Sequence, residues 1–202
     1  MKVLFFGSHC DDIELGCGGT INKHNKDWDI SCVCMSSSGS YGEKSFLKNQ
    51  SLMALSSLGV KNIYFENYPT NDFWIHRQDI WKSIKKYEEI IDPQIVFTQM
   101  EDDHQDHKIL FQETIRNFKD KTIMCYKASM SYGLSHVWNY IEKLKYEDIL
   151  KKIEAANLFS YYQDIGKSYV KPENIIAQAR VMSMNTNFEF SEAFYVYRIV
   201  SL

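Results

Sequence analysis

One short turn near the start of the sequence carries a histidine and three acidic residues. His9, Asp11, Asp12 and Glu14 follow an apolar run at residues 3–6 and precede a helix-like pattern. This order is typical of a strand, a tight turn and a helix, where open α/β sheets bind ligands. So much negative charge would repel a phosphate at the helix N-terminus, whereas carboxylates and an imidazole suit a divalent cation. We therefore interpret the turn as half of a zinc site.

A second turn rich in acids and histidines lies far along the chain, at residues 101–107. It follows a strand-like run at residues 94–99 and contributes His104, Asp106 and His107. Because the carboxyl ends of parallel strands meet at one edge of a sheet, we expect the two turns to lie together. Oxygen and nitrogen ligands with acids and bases to spare predict a catalytic zinc with a free position for water.

Each turn taken alone has a simpler explanation. An Asp-Asp pair after a strand is more often a helix cap, and an acidic run such as residues 101–103 is more often a solvated loop. The metal site is favoured because both turns follow buried-strand patterns and belong to the same sheet edge.

The rest of the chain supplies the framework for these turns. Strands are predicted at residues 2–7, 29–36, 62–66, 94–99, 121–127 and 193–200. Helices are predicted at residues 16–26, 45–58, 75–91, 109–118 and 146–159. The alternation predicts a Rossmann-like α/β fold, with a mostly parallel sheet, helices on both faces and the active site at the C-terminal rim of the strands.

Composition narrows the class of protein. A chain of 202 residues predicts a single domain over residues 1–202, and a net charge of −3 gives no reason to expect a nucleic-acid partner. The apolar N-terminal stretch runs directly into acidic residues, and no apolar run reaches the ~20 residues that would span a bilayer, so we expect neither a signal peptide nor membrane insertion. Five cysteines without an export signal predict reduced thiols and a cytoplasmic location.

Both turns resemble the signatures of a known family. Residues 9–12 read His-Cys-Asp-Asp, which resembles the His-Pro-Asp-Asp signature of the PIG-L (LmbE-like) zinc-dependent sugar N-deacetylases, with Cys10 in place of proline. Residues 104–107 read His-Gln-Asp-His, which resembles the family's His-x-Asp-His signature. The resemblance implies a hydrolase that uses Zn²⁺ or another divalent metal to remove the N-acetyl group from a free, nucleotide-linked or glycosidic amino sugar.

The resemblance also implies roles for the residues of the two turns. It assigns His9, Asp12 and His107 as metal ligands, which leaves a coordination position for water. Asp11, next to a ligand, would be the general base that accepts a proton from the attacking water. His104 would help to stabilise the oxyanion.

A carboxylate that supports His104 is also expected. Asp106 would orient His104 and keep the pKa of its imidazole high. Either Asp11 or His104 could protonate the leaving amine.

Substrate contacts are expected along the same rim. Tyr41 and Asp72 follow predicted strands and could hold sugar hydroxyls, and the resemblance adds Gln163. Trp74 could stack on a sugar ring but is more often a core residue. The expected partner is an N-acetylated amino sugar or its conjugate, and the aromatic content leaves room for a homo-oligomer.

Two other functions remain open at this stage. The first is a non-catalytic nucleotide- or sugar-binding Rossmann-like module in which the glycine-rich residues 16–19 hold a phosphate, although they lack the G-x-G-x-x-G pattern and a P-loop lysine. The second is a metal-dependent phosphoesterase that uses the same acids. Metal content and the release of acetate or phosphate separate these functions from a deacetylase.

Overall fold

A seven-stranded sheet forms the centre of the computed structural model, which describes residues 1–37, 45–127 and 138–201. The strands are β1 (Lys2–His9), β2 (Asp29–Ser36), β3 (Asn62–Phe65), β4 (Ile95–Gln99), β5 (Thr122–Tyr126), β6 (Tyr140–Leu144) and β7 (Phe190–Arg198). The helices are α1 (Asp12–His24), α2 (Ser45–Ser57), α3 (Arg77–Ile91), α4 (Gln105–Asn117), α5 (Tyr146–Ala156), α6 (Ser160–Asp164) and α7 (Pro172–Ser183).

The sheet order explains where a site can form. The strands follow the order β3-β2-β1-β4-β5-β7-β6, in which β1 to β5 are parallel and β7 runs antiparallel to both β5 and β6. The predicted α/β fold with a mostly parallel sheet is therefore confirmed. The strand order reverses between β1 and β4, and such a switch point opens a crevice at the carboxyl ends of the two strands.

Helices cover both faces of the sheet. Successive residues of β1 point to opposite sides, so that Phe5 packs in one core cluster and Phe6 in another. The Phe5 cluster contains residues of α1 and α2, including Ile13, whereas the Phe6 cluster contains residues of α3 and α4, including Ile84 and Leu110. Helices on both faces of the sheet thus bury the centre of β1. Its last residue, His9, lies at the carboxyl-end rim of the sheet.

The helix starts differ from those predicted. Helix α1 begins at Asp12 instead of residue 16, and α4 begins at Gln105 instead of residue 109. Acidic residues therefore lie in the first turn of both helices, Asp12 and Glu14 in α1 and Asp106 in α4, where backbone N–H groups without an intrahelical partner favour negative charge. The sequence pattern predicts neither strand β6 nor helices α6 and α7. The β6 sequence is short and largely polar, and it hydrogen-bonds to β7 within the described sheet.

The C-terminal part of the chain is tied to α1 by a buried ion pair. Glu192 on β7 accepts hydrogen bonds from the backbone N–H of Gly19 at 3.0 Å and of Thr20 at 2.8 Å. The ammonium of Lys152 on α5 lies 2.6 Å from the same carboxylate. Because the buried charges are paired and hydrogen-bonded, the usual cost of burying them is offset.

Two further sequence expectations can be compared with the structure. No helix in the described ranges is long and apolar enough to cross a membrane. All five cysteines are buried and free of disulfides, and they pack as small apolar side chains.

A close approach of α1 to the sheet gives a test of this packing. A Cβ at Gly16 would lie 2.3 Å from Cδ2 of Tyr126, whose ring is held because its hydroxyl donates to the carbonyl of Phe6 at 2.7 Å. We expect Gly16→Ala to lower the free energy of unfolding, measured with urea, by ~1–3 kcal/mol. The control is Gly18→Ala, where the nearest atom is Cγ of Lys152 at 3.1 Å and the higher helix propensity of alanine compensates. Equal losses in the two variants would contradict this account.

Candidate metal centre

The structure brings the two acidic turns together at the switch point of the sheet. His9 is the last residue of β1, and Asp106 lies in the first turn of α4, which follows β4. Nε2 of His9 is 2.9 Å from Oδ2 of Asp106, and the His9 ring centroid is 5.4 Å from that of His107. Side chains that are distant in sequence therefore form one cluster at the rim.

Two sets of three side chains in this cluster could hold a metal ion. His9, Asp12 and His107 each offer a ligand atom within 4.8 Å of the others, and so do His9, His104 and Asp106. The two sets share His9, whose Nδ1 lies 3.4 Å from Oδ2 of Asp12 while Nε2 faces Asp106. Hydrogen bonding favours one of the two sets, because Oδ2 of Asp12 accepts the backbone N–H of His9 at 2.7 Å, whereas both oxygens of Asp106 accept a backbone N–H.

The Asp106 carboxylate is already occupied by hydrogen bonds. Its Oδ2 accepts from the backbone N–H of Asn71 at 2.7 Å and its Oδ1 from that of Phe73 at 3.3 Å, in addition to the contact with His9. The sequence predicts that the Asp106 carboxylate orients His104. In the structure it is the backbone N–H of Asp106 that contacts His104, donating to Nδ1 at 3.2 Å. The side chain instead positions the imidazole of His9.

Nε2 of His107, by contrast, is buried and has no hydrogen-bond partner among the described residues. It lies 3.8 Å from Oδ2 of Asp12, which is too far for a hydrogen bond. A buried polar atom without a partner is costly, so that it indicates a missing ligand. The set of His9, Asp12 and His107 is therefore the better candidate for the ion.

Asp11 occupies a strained position beside this set. Its φ is 124°, a value that L side chains rarely adopt, and the residue is only 6% exposed. Burial raises the pKa of its carboxyl well above the usual range, and the negative charges of Asp12 and Glu14 raise it further. Backbone strain of this kind persists only where surrounding packing enforces it, and it concentrates at functional sites.

The acidic and imidazole groups of the cluster shift one another's pKa values. Burial lowers the pKa of His9, but hydrogen bonds to Asp106 and Asp12 outweigh it and raise that pKa to about 10. Burial raises the pKa of Asp12, but His107 and His9 outweigh it and lower that pKa to about 2. Burial and the imidazoles of His9 and His107 lower the pKa of His104, opposite to the direction expected from the sequence.

Asp102 is a residue of this site that the sequence did not single out. It lies in the acidic run that resembles a solvated loop, yet it is only 6% exposed. Its Oδ2 is 2.7 Å from Nδ1 of His107, and its Oδ1 accepts from the backbone N–H of His104 at 2.7 Å. The sequence does not indicate that Asp102 is buried, because the predicted α4 begins only at residue 109. Asp102 would then lie in a loop well before the helix, where acidic residues are usually exposed to solvent.

The expected substrate contacts have different outcomes. Tyr41 lies outside the described residues, and Asp72 is half-buried on the segment that follows β3. Gln163 is exposed, and its amide donates to the carbonyl of Asn157 at 3.1 Å, so that its observed contact is with the end of α5. Trp74 is 62% exposed, which rules out the core role favoured from the sequence.

An aromatic residue from the C-terminal part of the chain reaches the first turn. The Tyr162 hydroxyl lies 3.4 Å from the carbonyl oxygen of Cys10, to which it donates. Its ring packs against Tyr169, with ring centroids 5.8 Å apart. Burial raises the pKa of both phenols, and the carboxyl of Asp11 raises it further. The hydrogen bond to Cys10 places Tyr162 next to the strained residue.

Comparison with known proteins identifies a family that matches more than half of the chain. Residues 4–126 match the model of the PIG-L family, described as GlcNAc-PI de-N-acetylase. The fold is similar to that of a conserved protein from Thermus thermophilus, with a TM-score of 0.82 and 18% identity over 99% of this chain and 96% of that one.

Two solved enzymes are also similar in structure. N,N'-diacetylchitobiose deacetylase from Pyrococcus horikoshii has a TM-score of 0.76 and 22% identity over 100% of this chain and 87% of that one. The 4-carboxy-2-hydroxymuconate hydratase from Pseudomonas putida has a TM-score of 0.74 and 13% identity over 100% of this chain and 98% of that one. At these identities the likeness shows the fold, and the reaction has to be argued from the site.

The contacts of Asp106 predict a measurable loss in Asp106→Asn. An amide offers only one acceptor oxygen, so its NH₂ group would face at least one of the N–H groups of Asn71 and Phe73. We expect the free energy of unfolding to fall by ~1–3 kcal/mol and the amide hydrogens of Asn71 and Phe73 to exchange faster. The exposed Asp120→Asn is the control with the same change of charge. Unchanged protection of both amides would show that the carboxylate does not hold this segment.

Proposed function

The chain belongs to the PIG-L family of GlcNAc-PI de-N-acetylases, and from this premise we propose that it is a metal-dependent hydrolase that removes the N-acetyl group from an amino sugar. The observation that carries the proposal is that Nε2 of His107, buried near Asp12 and His9, has no hydrogen-bond partner in the part of the chain that the structure describes. The strained Asp11 is adjacent to Asp12. We propose Zn²⁺ as the ion, and another divalent metal is compatible with the same ligands.

His9, Asp12 and His107 are the residues that we propose to hold the ion. Two imidazoles and one carboxylate form a ligand set typical of catalytic zinc sites in hydrolases, which keep a position open for water. Bound there, zinc would supply Lewis acidity and lower the pKa of its water to roughly 7.

Asp11 is the proposed general base. In the metal-free cluster, burial and the neighbouring carboxylates favour its protonated form. Positive charge at the adjacent ligands would favour the carboxylate, which can then accept a proton from the attacking water. The same group, once protonated, can return that proton to the leaving amine.

His104 is the proposed hydrogen-bond donor to the oxyanion. Its Nδ1 accepts from the backbone N–H of Asp106, so the hydrogen of the neutral imidazole lies on Nε2. The lowered pKa of His104 favours this neutral form, which acts as a donor and not as an acid. This argument favours Asp11 over His104 as the group that protonates the amine.

The substrate is proposed to be an N-acetylated amino sugar or its conjugate, bound along the rim. Asp72 and the exposed Trp74 flank Phe73, whose N–H is held by Asp106, so they could offer a hydrogen-bonding group and a stacking surface close to the cluster. Tyr41 remains a proposed contact. We further propose that the protein works in the cytoplasm, where its buried thiols stay reduced.

The role of Asp11 can be tested by Asp11→Asn. We expect kcat to fall by about 10²- to 10⁴-fold, because an amide cannot accept the proton, while zinc content is unchanged. The measurement is acetate release from a panel of N-acetylhexosamines and their nucleotide conjugates. The exposed Asp27→Asn serves as the control. Full activity in Asp11→Asn with its zinc intact would show that another group is the base.

Metal removal separates the deacetylase from its two rivals. We expect a chelator to abolish acetate release and added Zn²⁺ to restore it. We expect no phosphate release from phosphomonoesters. Phosphate release without acetate release would favour a phosphoesterase, and nucleotide or sugar binding without metal or hydrolysis would favour a binding module.

A further inference from the structure

A buried carboxylate lies on one side of His107, whose opposite ring nitrogen, Nε2, has no hydrogen-bond partner among the described residues. Oδ2 of Asp102 is 2.7 Å from Nδ1 of His107, and Oδ1 of the same carboxylate accepts the backbone N–H of His104 at 2.7 Å. Asp102 and His107 are 6% and 4% exposed. The contact is therefore shielded from water, which strengthens it and fixes its geometry.

We propose that Asp102 is a positioning residue that fixes the His107 tautomer able to bind a metal. A neutral imidazole carries its hydrogen on only one ring nitrogen. Because an ionised carboxylate can only accept, the hydrogen of His107 must lie on Nδ1. Nε2 then keeps a free lone pair directed toward the side of Asp12, 3.8 Å away. The role of His107 as a ligand rests on the proposed function, whereas the tautomer follows from the contacts.

The same logic predicts what an amide would do at this position. The N–H of His104 can only donate, so the single oxygen of an asparagine at position 102 would face it. The NH₂ group of that asparagine would then face Nδ1 of His107, which would have to accept. The hydrogen would move to Nε2 and block the atom that should bind the ion.

The other imidazole ligand is supported in a similar way. Asp106 lies 2.9 Å from Nε2 of His9, on the ring nitrogen opposite the one that faces Asp12. Each candidate imidazole ligand thus has a carboxylate on its outer nitrogen. Partners of this kind typically change metal affinity by 10- to 100-fold.

The test compares Asp102→Asn with Asp103→Asn in the full chain. Asp103 is the exposed neighbour, so its variant has the same change of charge without the contact. The first measurement is the ¹⁵N chemical shifts of His107 in the metal-free protein at alkaline pH, assigned by their loss in His107→Gln. We expect the Nδ1–H tautomer in the unaltered chain and in Asp103→Asn, and the Nε2–H tautomer in Asp102→Asn.

The second measurement is zinc affinity by competition with a chelator. We expect Asp102→Asn to bind zinc about 10- to 100-fold more weakly, Asp103→Asn to bind it normally, and Asp102→Glu to recover part of the loss because it retains an acceptor.

Several outcomes would overturn the proposal. An Nε2–H tautomer in the unaltered chain would do so without the Asp102→Asn variant, which matters if that variant fails to fold. Normal zinc affinity in a folded Asp102→Asn would do so as well. If the unaltered chain bound no zinc while His107 kept its hydrogen on Nδ1, the proposed function would fail and the tautomer assignment would be supported.

Discussion

The Asp106 carboxylate holds together the parts of the chain from which the site is built. It contacts His9 at the end of β1 and the backbone N–H groups of Asn71 and Phe73 after β3, and it is itself carried by α4. These elements come from distant parts of the sequence. The packing of the sheet core does not by itself fix how the end of β1, the segment after β3 and the start of α4 lie relative to one another. A fully buried acceptor with several donors sets their relative positions, because leaving any donor unpaired in the interior is costly.

The electrostatics of the cluster have a common cause. Acids and imidazoles are concentrated at one rim, where burial separates them from water. Each charged group is therefore stabilised by hydrogen bonds and opposite charges from its neighbours instead of by solvent. His107 and His9 lower the pKa of Asp12, whereas burial and the adjacent carboxylates raise the pKa of Asp11. The pKa values of two adjacent residues of the same type are thus shifted in opposite directions, which is typical of sites where two carboxylates have different roles.

The sequence predicts the sheet and the meeting of the two turns, because alternation of buried strands and amphipathic helices determines both. It does not predict which carboxylate faces which imidazole. Asp106 is expected to support His104 but contacts His9, and Asp102, which the sequence does not single out, contacts His107. Such pairings depend on the residue at which α4 begins and on side-chain directions, and neither has a periodic signal. Trp74 was misjudged because apolarity alone does not distinguish a core position from an exposed one.

The backbone of Asp11 has a consequence for the stability of the whole chain. A residue with a side chain at φ 124° stores free energy that glycine would release. Selection for stability alone would therefore favour glycine at this position. A relative that had lost its enzymatic activity would be expected to have another residue in place of Asp11. If Asp11 is the proton acceptor that we propose, the chain keeps a less stable backbone at this one residue in return for the position of that carboxylate.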